Sequence, residues 1–306
     1  MFLKMSNLFS RLGVRYVSTH TSQLNNQVLN VFKDCSTVFD LTFGDGVQST
    51  LLLDKGHHVF GLDQDDTVVD RYPQNFDKNF IGRIGKFSDL PSIVNQNDEL
   101  EKWTKSCDGI LLDLGVSQAQ LSSSRGFNME SDEPLDLRMG GSGPTAADVI
   151  EYLDMESIIK ILKVYGGVTC AKNIVTDMIE RRYMNNPIKT SRDLSSLVNS
   201  CLSALTHFET ENQQELIEQN TMKVFLALRL FVNNELNELN FVIKLARTIL
   251  GPGSKLAVVL RSEKEEAQFR NLIFSEANNS TGLMDWRLDN VLIDEESGKL
   301  LAFSKI

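Results

Sequence analysis

Cysteine is scarce in this chain. The four present, Cys35, Cys107, Cys170 and Cys201, are scattered, and none sits in a CxxC pair. That spacing argues against a zinc ribbon, a dithiol redox motif or a disulfide scaffold. It leaves the thiols as small buried hydrophobes. Histidine is equally sparse: His20, His57, His58 and His207 show no metal-ligand spacing, so no metal is expected. His57 and His58 directly precede an apolar run and read as strand-entry residues. Long hydrophobic runs are missing, since none approaches the ~20 residues of a membrane-spanning helix, and no membrane partner is expected. An excess of positive charge is also lacking. The 306 residues carry 31 basic and 41 acidic side chains, a net charge of −10. Nucleic acid would therefore be held by a local patch, because bulk charge is of the wrong sign. There is no internal repeat and no low-complexity segment. What remains is a globular composition, 42% hydrophobic and 24% charged. The length suits one large domain, or one domain with an insertion.

Acidic residues are absent from one stretch altogether. No Asp or Glu occurs before Asp34, whereas Lys4, Arg11, Arg15 and Lys33 do, among many Ser and Thr. Phe2, Met5, Phe9, Leu12 and Tyr16 recur at near-helical spacing. A basic, hydroxyl-rich, acid-free and amphipathic leader has the composition of a mitochondrial transit peptide. Residues 1–33 are assigned to it, with cleavage expected near Thr19 and the mitochondrial matrix as the address. A disordered basic tail is the alternative.

Beyond the leader, apolar runs alternate with helical spacers. Thr37–Phe43 ends in Gly44-Asp45-Gly46, His58–Leu62 ends in Asp63, Phe80–Ile84 is weaker and Gly109–Leu114 is strong. Such alternation implies an α/β fold with a parallel sheet covered on both faces. From Thr145 to about Asn240 the periodicity becomes helical. Ile150, Leu153, Ile158, Ile161, Leu162 and Tyr165 read as one stripe, and Met222–Leu250 as one long amphipathic stretch. Thr190 or Ser191 can cap a helix that has Asp193 in its first turn. Strand character returns at Lys255–Leu260. Trp286–Ile293 and Lys299–Ser304 flank an acidic turn with glycine, the pattern of a hairpin. The expected organisation is a core in two parts, 34–140 and 218–306, around a helical insertion at 141–217, with a C-terminal antiparallel hairpin.

Gly44-Asp45-Gly46 lies where a first strand meets a first helix. Glycines there allow a tight turn and close backbone approach to a ligand. Asp63 ends the second strand and can accept hydrogen bonds from both hydroxyls of a ribose. Together they predict a nucleoside-containing cofactor. The third glycine of the dinucleotide fingerprint GxGxxG is missing, and Asp45 would oppose a pyrophosphate. Both points favour S-adenosylmethionine over a dinucleotide; an ordinary tight turn is the plainest alternative.

The segment Asp108-Gly-Ile-Leu-Leu-Asp113-Leu-Gly115-Val-Ser117 carries a family resemblance. Gln120-Leu121, Arg125-Gly126-Phe127, Pro134-Leu135-Asp136-Leu137-Arg138-Met139, Tyr165-Gly166, Ala227-Leu228-Arg229, Val232-Asn233-Asn234-Glu235-Leu236 and Pro252-Gly253 extend it. The chain resembles the RsmH (MraW)-type small-subunit ribosomal RNA cytosine-N4 methyltransferases, and within them the mitochondrial methyltransferase-like protein 15 branch. The resemblance implies a Rossmann-like S-adenosylmethionine-dependent methyltransferase sheet with an inserted helical domain. It places cofactor contacts at Gly46, Val47, Gln48, Asp63, Phe87, Asp113 and Gln120. The chain departs from the family pattern at Val47 and Gln48, at Gln118-Ala119, from Gln219 to Leu226, and at Leu260-Arg261-Ser262.

The chemistry this implies is methyl transfer to the exocyclic amine of a cytidine in small-subunit ribosomal RNA or the assembling small subunit, a step in rRNA processing and ribosome biogenesis. Asp113 is the candidate catalytic residue, accepting an N–H of the cytosine amine; holding the cofactor alone is the equal alternative. The target base must be unstacked to be reached. Arg125, Asp136 and Arg138 are candidates to line its pocket, although Asp136 and Arg138 could equally form a loop-ordering ion pair. Between Ser157 and Arg192 seven basic residues, among them Lys172, Arg181 and Arg182, face only Asp177 and Glu180. They form the candidate phosphate-binding patch. A second copy of the chain is a further candidate partner. Two other readings compete: a catalytically weakened rRNA-binding assembly factor, and a dinucleotide-dependent oxidoreductase.

Overall fold

The computed structural model describes residues 22–73, 78–205, 211–261, 263–274, 286–294 and 298–306. The leader up to residue 21 and the hairpin turn at 295–297 lie outside the described residues. Two compact units are distinguished. One holds the described residues up to Ser117 and those from Leu236 on; the other is Gln118–Glu235. The insertion expected at 141–217 lies within the second unit, which starts earlier and ends later.

The first unit contains the sheet. Its strands are β1 (Thr37–Asp40), β2 (His58–Asp63), β3 (Phe80–Ile84), β4 (Gly109–Asp113), β5 (Lys255–Leu260), β6 (Trp286–Asp294) and β7 (Gly298–Lys305). Their order is β3-β2-β1-β4-β5-β7-β6. The first five run parallel, and β7 and β6 close the sheet as the expected antiparallel hairpin. β1 and β4 are buried along nearly their whole length. Continuous apolar runs are required here because helices cover both faces. Alternate residues still sort by face. Val38, Val59, Leu111 and Val259 pack with Leu24, Val28 and Phe32 of α1 (Ser22–Phe32) and Leu52 and Leu53 of α2 (Val47–Asp54). Phe39, Phe60, Ile110, Leu112 and Val258 pack on the opposite face. Their partners include Leu90 of α3 (Leu90–Asn95), Trp103 of α4 (Asp98–Ser106), Val242 and Ile243 of α11 (Glu235–Ile249), and Phe269 of α12 (Glu263–Phe274).

The position of α1 corrects the leader assignment. Phe32 is fully buried, and a Cβ on Gly109 would come within 2.8 Å of its ring. Leu24, Val28 and Phe32 recur every fourth residue and form the apolar stripe of a core helix. A leader reaching residue 33 would therefore include part of the folded core.

The second unit is helical: α5 (Gln118–Leu121), α6 (Ala146–Tyr152), α7 (Met155–Gly166), α8 (Ala171–Tyr183), α9 (Ser191–Leu205) and α10 (Glu211–Val232). The single stripe expected from Ile150 to Tyr165 is split between α6 and α7. Asp154 starts the second helix by accepting the Ser157 N–H at 2.9 Å. Thr190 caps α9, its hydroxyl accepting the Asp193 N–H at 3.1 Å while Asp193 accepts the Thr190 N–H at 2.9 Å. The stretch expected to be continuous from Met222 to Leu250 breaks at Asn233-Asn234. Asn234 takes φ 54°, a left-handed conformation that asparagine tolerates, and α11 begins at the next residue.

Connectivity fixes where a ligand can enter. The chain runs outward from β1 through β2 to β3, then returns to place β4 on the other side of β1. In open α/β sheets of this kind the segments that follow such strands diverge at the carboxyl edge, which is where ligands enter.

Candidate active site

The segment after β1 turns sharply before α2. Gly44 and Gly46 take φ 53° and 73°, a left-handed region that glycine enters without a Cβ penalty. The Gly46 N–H donates to the Phe43 carbonyl at 2.8 Å, and a Cβ at Gly46 would lie 2.6 Å from the Phe43 ring. Asp63, ending β2, fastens this turn: Oδ2 accepts the Gly44 N–H at 2.7 Å, and Oδ1 accepts the Asp65 N–H at 2.9 Å. From the other side Arg71 donates through Nε to the Gly44 carbonyl at 3.1 Å. Burial raises the Asp63 carboxyl above the usual range, against the lowering effect of both backbone donors. Each carboxylate oxygen has a second lone pair. A ribose diol can therefore be accepted without unfastening the turn, and the residues present fit an adenosyl group.

Under the turn lies Asp40, a residue sequence reasoning did not single out. It is fully buried, with Oδ2 accepting the Ser49 hydroxyl at 2.7 Å and Oδ1 the Thr42 N–H at 3.2 Å. Burial pushes its carboxyl up to about 7. Its signal was a carboxylate closing an otherwise apolar strand, TVFD.

Asp113, at the end of β4, is bound from both sides. Arg261 Nη2 donates to Oδ1 at 2.6 Å and to Oδ2 at 2.8 Å, and Gln48 Nε2 donates to Oδ2 at 3.1 Å. The Asp113 and Arg261 side chains are each 14% exposed. Arg261 directly follows β5, whose Val259 is the register partner of Asp113. Its backbone N–H donates to Glu265 at 3.0 Å. Gly115 leaves room for its arm: a Cβ there would lie 3.0 Å from Arg261 Cδ. Sequence reasoning noted Arg261 only as a departure and did not assign it to the site. Its place one residue beyond a strand adjacent to β4 was the available signal.

Phe87 opens a single 3-10 turn, Phe87–Asp89, and packs partly buried on the core. That turn is tied to the Asp63 backbone by the Gly85 N–H at 2.8 Å and to Glu238, which accepts the Ser88 N–H and hydroxyl at 2.9 Å each. Val47, the first residue of α2, and Ile84, the last of β3, are 42% and 38% exposed and add apolar surface at this edge, the kind of lining an adenine ring requires. Gly46, Val47, Gln48, Asp63, Phe87 and Asp113 thus share the carboxyl edge of one sheet. Gln120 belongs to the second unit, where its side chain is buried.

In the second unit several expected RNA contacts have internal partners. Asp136 and Arg138 form the loop-ordering pair: Nε meets Oδ1 at 2.6 Å, Nη2 meets Oδ2 at 2.9 Å, and Nη1 donates to the Gly143 carbonyl at 3.0 Å. Arg125 donates to the Met139 carbonyl at 2.8 Å and lies over the Phe127 ring. Arg182 donates to the carbonyls of Ile150 and Leu153, closing the C-terminal end of α6. For Asp136 and Arg138 the pairing is the ion-pair alternative, and the Arg125 and Arg182 guanidinium groups likewise have internal acceptors. Against the raising effect of burial, the Thr190 and Lys189 backbone donors and the Thr190 hydroxyl hold the Asp193 carboxyl below its usual range, with a smaller contribution from the half-buried Arg181. Lys160, Lys163 and Lys172 are exposed on α7 and α8.

Among the described residues no group of His, Cys, Asp and Glu could hold a metal ion, and no helix is long and apolar enough to cross a membrane. The cysteines are free thiols, and burial pushes Cys35 and Cys201 up to about 12.

The family model of the MraW methylases matches residues 17–285. A methyltransferase-like protein 15 homolog of Drosophila melanogaster is 33% identical over 234 residues, covering 73% of this chain and 64% of that protein. A ribosomal RNA small subunit methyltransferase H of Deinococcus deserti is 33% identical over 243 residues, 78% of this chain and 76% of that protein. A protein of Culex quinquefasciatus named receptor-type tyrosine-protein phosphatase mosPTP-1 is 31% identical over 298 residues, 91% of this chain but 20% of its own length. This chain therefore spans a fifth of that relative and just under two thirds of the Drosophila one. With a family match over most of its length, and with a glycine turn and a strand order that suit an adenosyl cofactor, the chain belongs to the MraW methylase family.

Proposed function

We propose that this chain transfers the methyl group of S-adenosylmethionine to the N4 amine of a cytidine in small-subunit ribosomal RNA, in the mitochondrial matrix. The observation that carries the reading is the placement of Asp63 and Asp113 at the ends of β2 and β4, on either side of the glycine turn. The names of the bacterial relatives support ribosomal RNA as substrate. The acid-free basic residues that precede α1, with Lys4, Arg11 and Arg15, support the mitochondrial address. The family sets aside the dinucleotide alternative.

When bound, the cofactor supplies a methyl group on an electrophilic sulfonium. Asp63 accepts the ribose hydroxyls, and Val47, Ile84 and Phe87 provide apolar surface for the adenine. Asp113 already accepts from Arg261 and Gln48, which favours its role on the cofactor side over direct contact with the cytosine amine. The protein then lowers the barrier chiefly by holding donor and acceptor in near-attack geometry. The exposed Lys160, Lys163 and Lys172 are the candidates for phosphate contact.

The engagement of both Asp113 oxygens also favours a second reading, an assembly factor that binds rRNA and methylates it poorly. Incubation with labelled methyl donor and small-subunit RNA or particles separates the two. Label in N4-methylcytidine supports the enzyme. Bound particles without label support the second reading, and absence of both refutes the two together. Nucleoside mass spectrometry after gene deletion should show the loss of one N4-methylcytidine.

A further inference from the structure

We infer that Arg261 is a cofactor-binding residue: with Asp113 it forms an ion pair that opens to take the methionine end of the methyl donor, Arg261 receiving the α-carboxylate and Asp113 the α-ammonium. This rests on the reading of the chain as an S-adenosylmethionine-dependent methyltransferase and assigns a residue that the reading leaves out.

The methionine end of the donor is a zwitterion, so its site must offer both signs close together. The carboxyl edge of the sheet is rich in one sign, with Asp45, Asp63, Asp65 and Asp113 on or just after β1, β2 and β4. A ligand carboxylate entering there would be repelled unless a cation met it. Arg71 is held at the turn by the Gly44 carbonyl and lies 4.0 Å from Asp45. Arg261 is the cation that reaches Asp113, at 2.6 and 2.8 Å. With each side chain 14% exposed, the pair is reachable from the carboxyl edge yet largely out of water, where an uncompensated charge is costly. A zwitterion avoids that cost. One internal ion pair is exchanged for two ligand pairs, and no charge is left alone.

The local build permits the exchange. The Arg261 backbone is tied to Glu265 and stays in place, while the missing side chain at Gly115 leaves space along the arginine arm. Gln48 keeps its contact with Asp113 Oδ2 when the guanidinium moves. A guanidinium suits this role because its planar fork matches a carboxylate with two parallel hydrogen bonds, which an ammonium cannot do.

The test is calorimetry on the full chain with three ligands: S-adenosylmethionine, its decarboxylated form, which lacks only the α-carboxylate, and 5′-methylthioadenosine, a neutral thioether that lacks the ammonium, the carboxylate and the sulfonium charge. The wild type should prefer S-adenosylmethionine over the decarboxylated ligand by about tenfold or more, the equivalent of one charge-assisted contact. Arg261→Gln should weaken S-adenosylmethionine by about ten- to a hundredfold. It should leave 5′-methylthioadenosine unchanged and the decarboxylated ligand unchanged or tighter, so that the preference disappears. Arg261→Lys should recover part of it. Binding of 5′-methylthioadenosine shows that each variant is folded at the site. A preference that survives in Arg261→Gln, or an equal loss for all three ligands, overturns the assignment of Arg261 alone. A wild type that binds none of them overturns the methyltransferase reading and this inference with it.

Discussion

Alanine at position 63 removes two acceptors at once, and the structure sets how much should be lost. Asp63 uses one lone pair on each oxygen to hold the Gly44 and Asp65 N–H groups, at 2.7 and 2.9 Å. Each oxygen keeps a second lone pair, which a ribose hydroxyl could use. A hydrogen bond to a charged group contributes roughly 1.5–3 kcal/mol. Two such bonds at the lower figure amount to about 3 kcal/mol, or about a hundredfold in Kd. Relaxation of the glycine turn could absorb part of this, so a loss of more than about tenfold is the minimum consistent with the proposal. Calorimetry with S-adenosylmethionine measures it directly. Turn damage and lost ribose contacts are separated by a 2′,3′-dideoxy analogue of the donor. The wild type should bind the analogue weakly, and Asp63→Ala should bind donor and analogue alike. The pH dependence supplies a sign. Burial raises the Asp63 carboxyl, and only the charged form accepts from both hydroxyls. Wild-type affinity should therefore fall on acidification before an ordinary aspartate protonates, and the variant should lack that fall. Equal affinity in wild type and Asp63→Ala, or a variant that still discriminates against the analogue, would refute ribose binding at Asp63.

Other consequences are testable in the same preparation. Asp40 titrates near 7 in the folded chain against 3.8 for the ordinary group, so it binds its proton more tightly when folded. Its contribution to stability is full below about pH 4 and is lost as pH rises through 7, about 4 kcal/mol in all. Asp40→Asn should therefore gain on the wild type between pH 4 and pH 8 in urea unfolding, and an identical difference at both ends would refute it. Gly46→Ala places a Cβ in a left-handed residue, 2.6 Å from the Phe43 ring, and should cost about 2 kcal/mol or more. A variant with wild-type melting and donor affinity would show that the turn is not constrained as described. In the second unit Arg182→Ala should destabilise by about 1–2 kcal/mol through the exposed end of α6, leaving the salt dependence of RNA binding unchanged. Lys172→Ala should do the reverse, lowering the slope of log K against log salt by about 1 with no change in stability. Interchanged results would put Arg182 on the RNA and Lys172 outside it.

Much of this was legible in the chain, for physical reasons that also mark where legibility stops. The runs at Thr37, His58, Gly109 and Lys255 could be placed because a strand buried on both faces tolerates almost no polar residue. The glycine turn could be placed because a positive φ demands glycine. Helix boundaries were harder. The apolar stripe continues through Leu153-Asp154 and through Asn233-Asn234, and both breaks are made by short polar side chains competing locally with the helix. Periodicity records the face a helix buries; it does not record that two helices share it. Composition misled at α1: lack of acid extends to Lys33, yet Leu24, Val28 and Phe32 are core. A charge count likewise found the arginines of α8 without showing that the Arg182 guanidinium ends on the carbonyls of α6.

The least legible feature was the most consequential. Gln48 and Arg261 lie 65 and 148 residues from Asp113 in the chain, and each read alone is a departure from the family pattern. Random decay of a cofactor site would scatter unrelated side chains, with no reason for two of them to be donors aimed at one carboxylate. Here both are, and one is a full positive charge in a place shielded from water. That arrangement selects among ligands by arithmetic. A neutral nucleoside offers nothing in return for separating Asp113 from Arg261, and a ligand with only an amine takes Asp113 from the guanidinium without offering it a carboxylate in exchange. A ligand with amine and carboxylate together replaces one ion pair with two. On the proposed assignment the site would stay closed to bare nucleosides at its Asp113 end and open for the complete amino-acid arm, so that the altered positions would serve recognition; the calorimetry above decides between that and a weakened site.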